Sequence, residues 1–140
     1  MMSNENLKDR TTKFALEVIK LVEALPDDRT SRTLGNQLLR AGTSVGANYR
    51  AASRAKSPAD FISKIGTVEE EADETGYWME LLLLAGKTKG ERTNAIMQEA
   101  NELTAIAVSS INTAKRTKYR ARSHAGASET PHSALRTPHS

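Results

Sequence analysis

Apolar residues recur at alternating steps of three and four along four successive stretches of this chain. In the first stretch the line runs Leu7, Phe14, Val18, Leu21 and Leu25, with Thr11 filling the missing step; in the second it runs Leu34, Leu38, Ala41, Val45 and Ala52, with Asn48 on the same line. The third reads Phe61, Ile65, Val68, Ala72, Met79 and Leu83, and the fourth Ile96, Ala100, Leu103, Ala107 and Ile111. That spacing places each set along one side of an α-helix. Alternation at period two is nowhere sustained, so no strands are expected.

Local signals place the breaks between the stretches. Pro26 ends the first, because the residue before a proline is pushed out of the helical region. Thr30 or Ser31 is the expected cap of the second, and Ser57 followed by Pro58 is a strong start for the third. Gly86-Lys87-Thr88-Lys89-Gly90 reads as a glycine-bounded turn. The expected helices are therefore about 4–25, 31–56, 58–85 and 91–116, forming one domain over residues 1–116. Four long helices with short connections predict an all-α, antiparallel up-down-up-down four-helix bundle. Gly42 and Gly46 lie one turn apart inside the second helix. Each costs about 1 kcal/mol of helix propensity, which a close helix–helix approach would offset; a local kink is the alternative.

After about Tyr119 the composition turns to Ser, Ala, His, Pro and Thr, with Thr-Pro-His-Ser at both 130–133 and 137–140. Such a stretch buries too little apolar surface to offset the entropy of ordering, so residues 117–140 are expected to form a basic, then low-complexity, disordered tail. The formal charge of +3 hides an asymmetry: residues 1–114 carry a net −2 and residues 115–140 a net +5. Cysteine is absent, which excludes disulfides and thiolate metal sites. The N-terminus has no basic segment followed by an apolar run, and the longest apolar run, Leu81 to Gly86, is far below the roughly 20 residues that span a bilayer. A soluble, cytoplasmic protein without membrane contact is the expectation.

Charge is also segregated between helices. Residues 31–56 hold five basic side chains and no acid, whereas residues 60–80 hold seven acids against one lysine. At about 100° per residue, the second helix carries Arg32, Leu39, Arg50 and Arg54 away from its apolar line. The third likewise carries Glu70, Asp73, Glu74, Tyr77, Leu81 and Leu84. A merely solvated face does not gather Tyr77, Leu81 and Leu84 together. These ten residues are the candidate subunit contact, the arginine side of one copy meeting the carboxylate and leucine side of another. Arginine forks suit carboxylates bidentately, and a heterologous contact of this kind closes into a ring where the rotation permits. In a monomer the same charges would simply solvate the surface.

No catalytic or cofactor motif stands out. The run Glu69-Glu70-Glu71-Ala72-Asp73-Glu74 invites a carboxylate metal reading, but di-iron bundles need Glu-x-x-His pairs and all three histidines (His124, His132, His139) fall in the tail. No metal, cofactor or catalytic residue is expected. Leu34 to Arg54, interrupted by Gly42, has the outline of a helix-turn-helix, yet its apolar line crosses Gly42 without a phase shift, as one helix requires. The clearest nucleic-acid feature is the cluster Lys115, Arg116, Lys118, Tyr119, Arg120 and Arg122. Five cations in eight residues would contact phosphates with salt-dependent, sequence-blind affinity, and Tyr119 offers a stacking surface. Cations at a helix C-terminus also suit the helix dipole without any ligand.

The stretch Asn36-Gln37-Leu38-Leu39-Arg40-Ala41-Gly42-Thr43-Ser44-Val45-Gly46-Ala47-Asn48-Tyr49-Arg50-Ala51-Ala52 resembles the signature of the four-helix bundle family encoded in intervening sequences of bacterial 23S ribosomal RNA genes. Asp60-Phe61-Ile62-Ser63-Lys64-Ile65, followed by Glu70-Glu71-Ala72-Asp73-Glu74-Thr75-Gly76-Tyr77-Trp78-Met79-Glu80-Leu81-Leu82, is similar to that family's third helix. The resemblance spans about residues 6–115. It implies a four-helix subunit that assembles as a homopentamer, in a barrel shape shared with the accessory protein of diversity-generating retroelements, where a basic surface binds nucleic acid and a reverse transcriptase. Arg40, Asn48, Arg50, Glu70, Asp73 and Glu74 match motif positions and read as packing and assembly residues. No catalytic residue carries over. The chain departs from the pattern in its basic tail, so the resemblance supports no role for that segment.

The leading functional expectation is a non-enzymatic homo-oligomeric scaffold, pentameric by the resemblance, that binds RNA or DNA through basic residues. The alternative is an adaptor that docks a partner protein and makes no nucleic-acid contact. An enzyme with a carboxylate site around Glu70 and Asp73 ranks third, since it needs a metal.

Overall fold

The structure, a computed structural model, describes the backbone of residues 4–127 and the side chains of residues 7–120. It is a four-helix bundle: α1 (Asn4–Glu23), α2 (Arg29–Ala52), α3 (Pro58–Leu84) and α4 (Glu91–Ala127), with no strand among the described residues. No helix among them is long and apolar enough to cross a membrane.

The apolar lines of the four helices converge on one core. Phe14, Val18 and Leu21 of α1 meet Leu38, Val45 and Ala52 of α2, Ile65, Val68, Ala72 and Met79 of α3, and Ile96, Ala100, Leu103 and Ala107 of α4. Leu7, Leu25, Leu34, Phe61 and Ile111, at or near the ends of those lines, are partly buried against it. Two positions differ from the expected lines. Tyr49 is buried where the line puts Asn48, and Leu82 is fully buried while Leu83 is only half-buried. Leu82 is where an unbroken alternation of three and four through buried Thr75 and Met79 falls, one residue before Leu83. At Tyr49, by contrast, two successive steps of four follow Ala41, as a 3.6-residue turn requires when it drifts by about 20° per heptad against a strict seven-residue repeat.

The helix ends follow from side-chain chemistry. Asp28, rather than Thr30 or Ser31, caps α2: its carboxylate accepts a 2.7 Å hydrogen bond from the Ser31 backbone N–H. That bond, with a second from Lys87 Nζ at 3.1 Å, holds the Asp28 carboxyl below the usual aspartate range. Ser31 instead turns inward, where its hydroxyl is buried without a partner. Ser57 caps α3 as expected, accepting from the Asp60 N–H at 3.1 Å, with Pro58 in the first turn. Helix α3 closes through Gly86 at φ +73°, with the Gly86 N–H bonded to Leu83 and the Lys87 N–H to Leu82. This is a Schellman motif, which needs a residue without a Cβ at that φ.

Helix α2 ends at Ala52, four residues before the expected boundary. Helix α4 makes the larger correction: it runs to Ala127, so residues 117–127 are helical and not a disordered tail. Its Lys and Arg residues and its alanines at 114, 121, 125 and 127 are good helix formers, and the first proline after α4 begins is Pro131. Change of composition alone does not end a helix. Residues 128–140, including His132 and His139, lie outside the described residues, as do the side chains of Arg122 and His124.

Candidate functional site

Four regions gather the polar chemistry of the molecule. The first is the C-terminal half of α4. No acidic residue occurs between Glu102 and Glu129, so this half of the helix brings cations without carboxylates of its own. Lys115, Arg116 and Arg120 are exposed and Lys118 is half-buried; Arg116 also reaches the Thr113 hydroxyl at 3.4 Å. At 100° per residue these side chains span a wide arc of the helix, and Tyr119, 61 % exposed, lies within it. Arg122 completes the sequence cluster but its side chain lies outside the described residues.

The second region is the side of α2 that faces α1. Gly42 packs against Val18 so closely that an added Cβ would lie 2.9 Å from both of its methyl carbons, and Gly46 faces Thr11. This is the close approach expected of the two glycines. Continuing the same one-turn step along α2 leads from Gly46 to Arg50 in its last turn, and Arg54 follows in the turn just beyond Ala52. Both arginines are exposed and line a groove of about 430 Å³ with Lys8 and Thr12 of α1, Thr43 of α2 and Ser53 at the α2 C-cap. Sequence patterning singles out Arg50 and Arg54 but misses Lys8, which joins them only through the α1–α2 packing.

The third region is the α2–α3 seam. Arg40 reaches across it to Glu74 and, at 3.3 Å, to Glu71. Glu74 also accepts a 3.1 Å hydrogen bond from the Trp78 indole N–H. Glu74 is thus engaged within its own chain, as is Arg32, which pairs with Asp27 at 2.6 Å. Of the remaining candidate contact residues on α3, Glu70 and Asp73 are exposed, Tyr77 is 53 % and Leu84 75 % exposed, and Leu81 is half-buried. They share one outward stripe of α3. Leu39 of α2 is half-buried.

On the far side of α1, Arg10 forks onto Glu99 of α4 at 2.8 and 2.6 Å and reaches Glu102 at 3.0 Å. The hydrogen bonds to Glu99 are the main reason its guanidinium is held even more firmly protonated than usual. Among the described residues no group of three or more His, Asp or Glu side chains is arranged to hold a metal ion.

The family profile described as 23S rRNA-intervening sequence protein matches residues 4–109, which covers all of α1, α2 and α3 and half of α4. The chain belongs to that family. A solved structure from Bacteroides thetaiotaomicron VPI-5482, described as a protein of unknown function from the S23 ribosomal protein family, is 35 % identical with a TM-score of 0.73. The similarity covers 79 % of this chain and 99 % of that one. No curated protein matches the chain. The family match ends at residue 109, before the first of the clustered cations, so that cluster lies outside what is shared.

Proposed function

We propose that this chain is a non-enzymatic subunit of a homo-oligomeric ring, a pentamer by family resemblance, that binds RNA or DNA through phosphate contacts without reading sequence. The observation that carries the nucleic-acid reading is the acid-free half of α4. Because the helix continues to Ala127, Lys115, Arg116, Lys118 and Arg120 sit at fixed helical intervals around Tyr119. Regular spacing of cations favours simultaneous phosphate contacts, and an aromatic ring among them adds a stacking surface for a base of any kind. A ring of copies would multiply weak contacts into useful avidity.

Two observations support the assembly. Pairings within the chain fit an antiparallel up-down-up-down order: residue numbers fall on α2 as they rise on α1 through Gly46–Thr11, Gly42–Val18 and Gly35–Val22. Arg10 with Glu99 and Glu102 ties α4 to α1 and closes the set. That order turns the stripe of Glu70, Asp73, Tyr77 and Leu84 outward, where two large apolar side chains stand in water unless a neighbour covers them. The adaptor reading draws on that same stripe, with a different protein as its neighbour.

The test is fluorescence polarisation of a labelled single strand of about 20 nucleotides, as RNA and as DNA, at about 50 and 200 mM NaCl. Five phosphate contacts give a salt slope near −3.5 on single strands, a loss on the order of a hundredfold across that range. Changing Lys115, Arg116, Lys118, Arg120 and Arg122 to glutamine should weaken binding and flatten the slope. Affinity that ignores salt overturns the reading, and a native mass equal to one chain overturns the ring.

A further inference from the structure

We infer that the groove between α1 and α2 is a second nucleic-acid site, separate from the end of α4, and that it holds the sugar–phosphate backbone of a single strand through Lys8, Arg50 and Arg54. The inference rests on the nucleic-acid reading above and adds to it where the strand lies and which residues hold it.

Three features of the groove carry it. Its charged lining is entirely cationic: Lys8 comes from α1, Arg50 from the last turn of α2 and Arg54 from the turn after it, and no carboxylate contributes. None of the three has an ion-pair partner among the described residues, whereas Arg10, Arg32 and Arg40 each have one. Like charges gathered in one groove without a counter-ion repel one another, and a bound anion removes that repulsion. Finally, the groove's hydroxyls are committed. Thr12 donates to the Lys8 carbonyl at 2.9 Å, Thr43 to Leu39 at 2.8 Å and Ser53 to Arg50 at 2.8 Å. The cations are then the strong donors left in the groove, and a guanidinium matches a phosphate's paired oxygens in plane and spacing. Contacts of that kind position a backbone and carry no base information.

The shape selects a single strand. Gly42 brings α2 against Val18 of α1, so the two helices are packed at close range beneath the groove. Helices in such contact have axes about 8–10 Å apart, room for one sugar–phosphate strand but too little to enclose a duplex, whose major and minor grooves alone are about 12 and 6 Å wide. A volume of about 430 Å³ accommodates a short run of backbone. Arg50 in the last turn of α2 and Arg54 in the turn just past its end line the same groove and offer two guanidinium forks to such a run. An acidic stripe from a second copy, carrying Glu70 and Asp73, is the competing occupant.

The experiment compares the full chain with Arg50→Gln/Arg54→Gln, with Lys8→Gln, and with the five-fold glutamine variant of α4. Probes are labelled oligo-dT and oligo-U of about 15 nucleotides, with an unlabelled duplex as competitor. Folding is checked by circular dichroism and particle size by native mass. The expected result is a loss of about tenfold or more for the arginine pair on both probes, and a smaller loss for Lys8→Gln. The salt slope should also become shallower by about 1.4, two contacts at about 0.7 each, with the particle mass unchanged. The duplex should compete at least about tenfold less well than a single strand. If the arginine pair binds both probes like the unaltered protein while the α4 variant loses binding, the groove is wrong and the nucleic-acid function stands. If the unaltered protein binds neither probe, both fall. A drop in particle mass on changing Arg50 and Arg54 assigns them to a neighbouring subunit and overturns the inference, as does equal competition by duplex.

Discussion

The two sides of α1 are held to their neighbours by different means. Toward α2 the contact is glycine against valine and threonine, with no ion pair across it among those the structure records, and the cations above it line a groove unpaired. Toward α4 the two helices touch least of all the packed pairs, and the strongest polar tie is Arg10 forked onto Glu99 and Glu102. A groove of about 550 Å³ opens there too, lined by Arg10, Lys13, Glu17, Arg92 and Glu99 over Phe14 and Ile96, so three cations share it with two carboxylates, one of them forked by Arg10. Where close packing sets the distance between helices, surface cations are left over for a ligand. Where packing is thin, ion pairs take on the task of fixing register, and less charge is left over.

The largest effect should come from breaking the glycine contact. Gly42→Val forces a branched side chain into atoms that already crowd a single added Cβ at 2.9 Å. Overpacking of this size destabilises by about 3 kcal/mol, more than the roughly 1 kcal/mol that losing a helical glycine returns. Urea midpoints at a fixed protein concentration measure it, because assembly would make stability depend on concentration. Adding Val18→Ala should recover about 1 kcal/mol or more, a coupling that a double-mutant cycle reads directly. Unchanged midpoints would mean that α1 and α2 are not held by this contact.

Next in size is the opposite side. Arg10→Gln removes a charge-assisted fork and leaves Glu99 and Glu102 facing each other without their cation. Hydrogen bonds to charged groups contribute about 1.5–3 kcal/mol when sheltered, and the partial exposure of this trio reduces that to about 1–2 kcal/mol. The loss should shrink in about 1 M salt, where screening acts over about 3 Å. Binding of single strands should stay within about twofold of the unaltered protein. A large loss of binding would erase the distinction between the two grooves.

Much of this was legible in the residues. The four stripes named most of the core because large apolar side chains at a 3–4 spacing fall on one side of a helix, and water drives that side inward. Ser57-Pro58 marked the α3 start through chemistry local to three residues. What escaped depended on distance or on competition. Asp28 outcompetes Thr30 and Ser31 as a cap, a choice decided by which oxygen reaches a free N–H while Lys87 arrives from 59 residues away. Glu74 has the position of a subunit contact along α3, but Arg40 and Trp78 occupy it. The end of α4 was hidden because a run of cations resembles a solvated tail in composition while remaining helix-forming. Lys8 gave no local signal, since it meets Arg50 only across the α1–α2 contact. One clue was present: the step of four that joins Gly42 to Gly46 continues to Arg50 and Arg54. A row that begins with the smallest residues and ends with the longest cations describes a contact that opens into a charged groove.

The smallest expected effect is also the one that discriminates most sharply between the two sides of α1. Arg50→Gln/Arg54→Gln removes two exposed cations that form no ion pair among the described residues, Arg50 in the last turn of α2 and Arg54 just past its end. Thermodynamic stability should therefore stay within about 0.5 kcal/mol of the unaltered protein, since the helix-end attraction lost with Arg50 is about 0.3 kcal/mol at an exposed site. The same urea measurement that registers Arg10→Gln checks it. If the midpoint instead fell as far as for Arg10→Gln, Arg50 and Arg54 would be structural residues with partners of their own. The groove toward α2 would then be built like the one toward α4, and its unpaired charge would no longer call for a ligand.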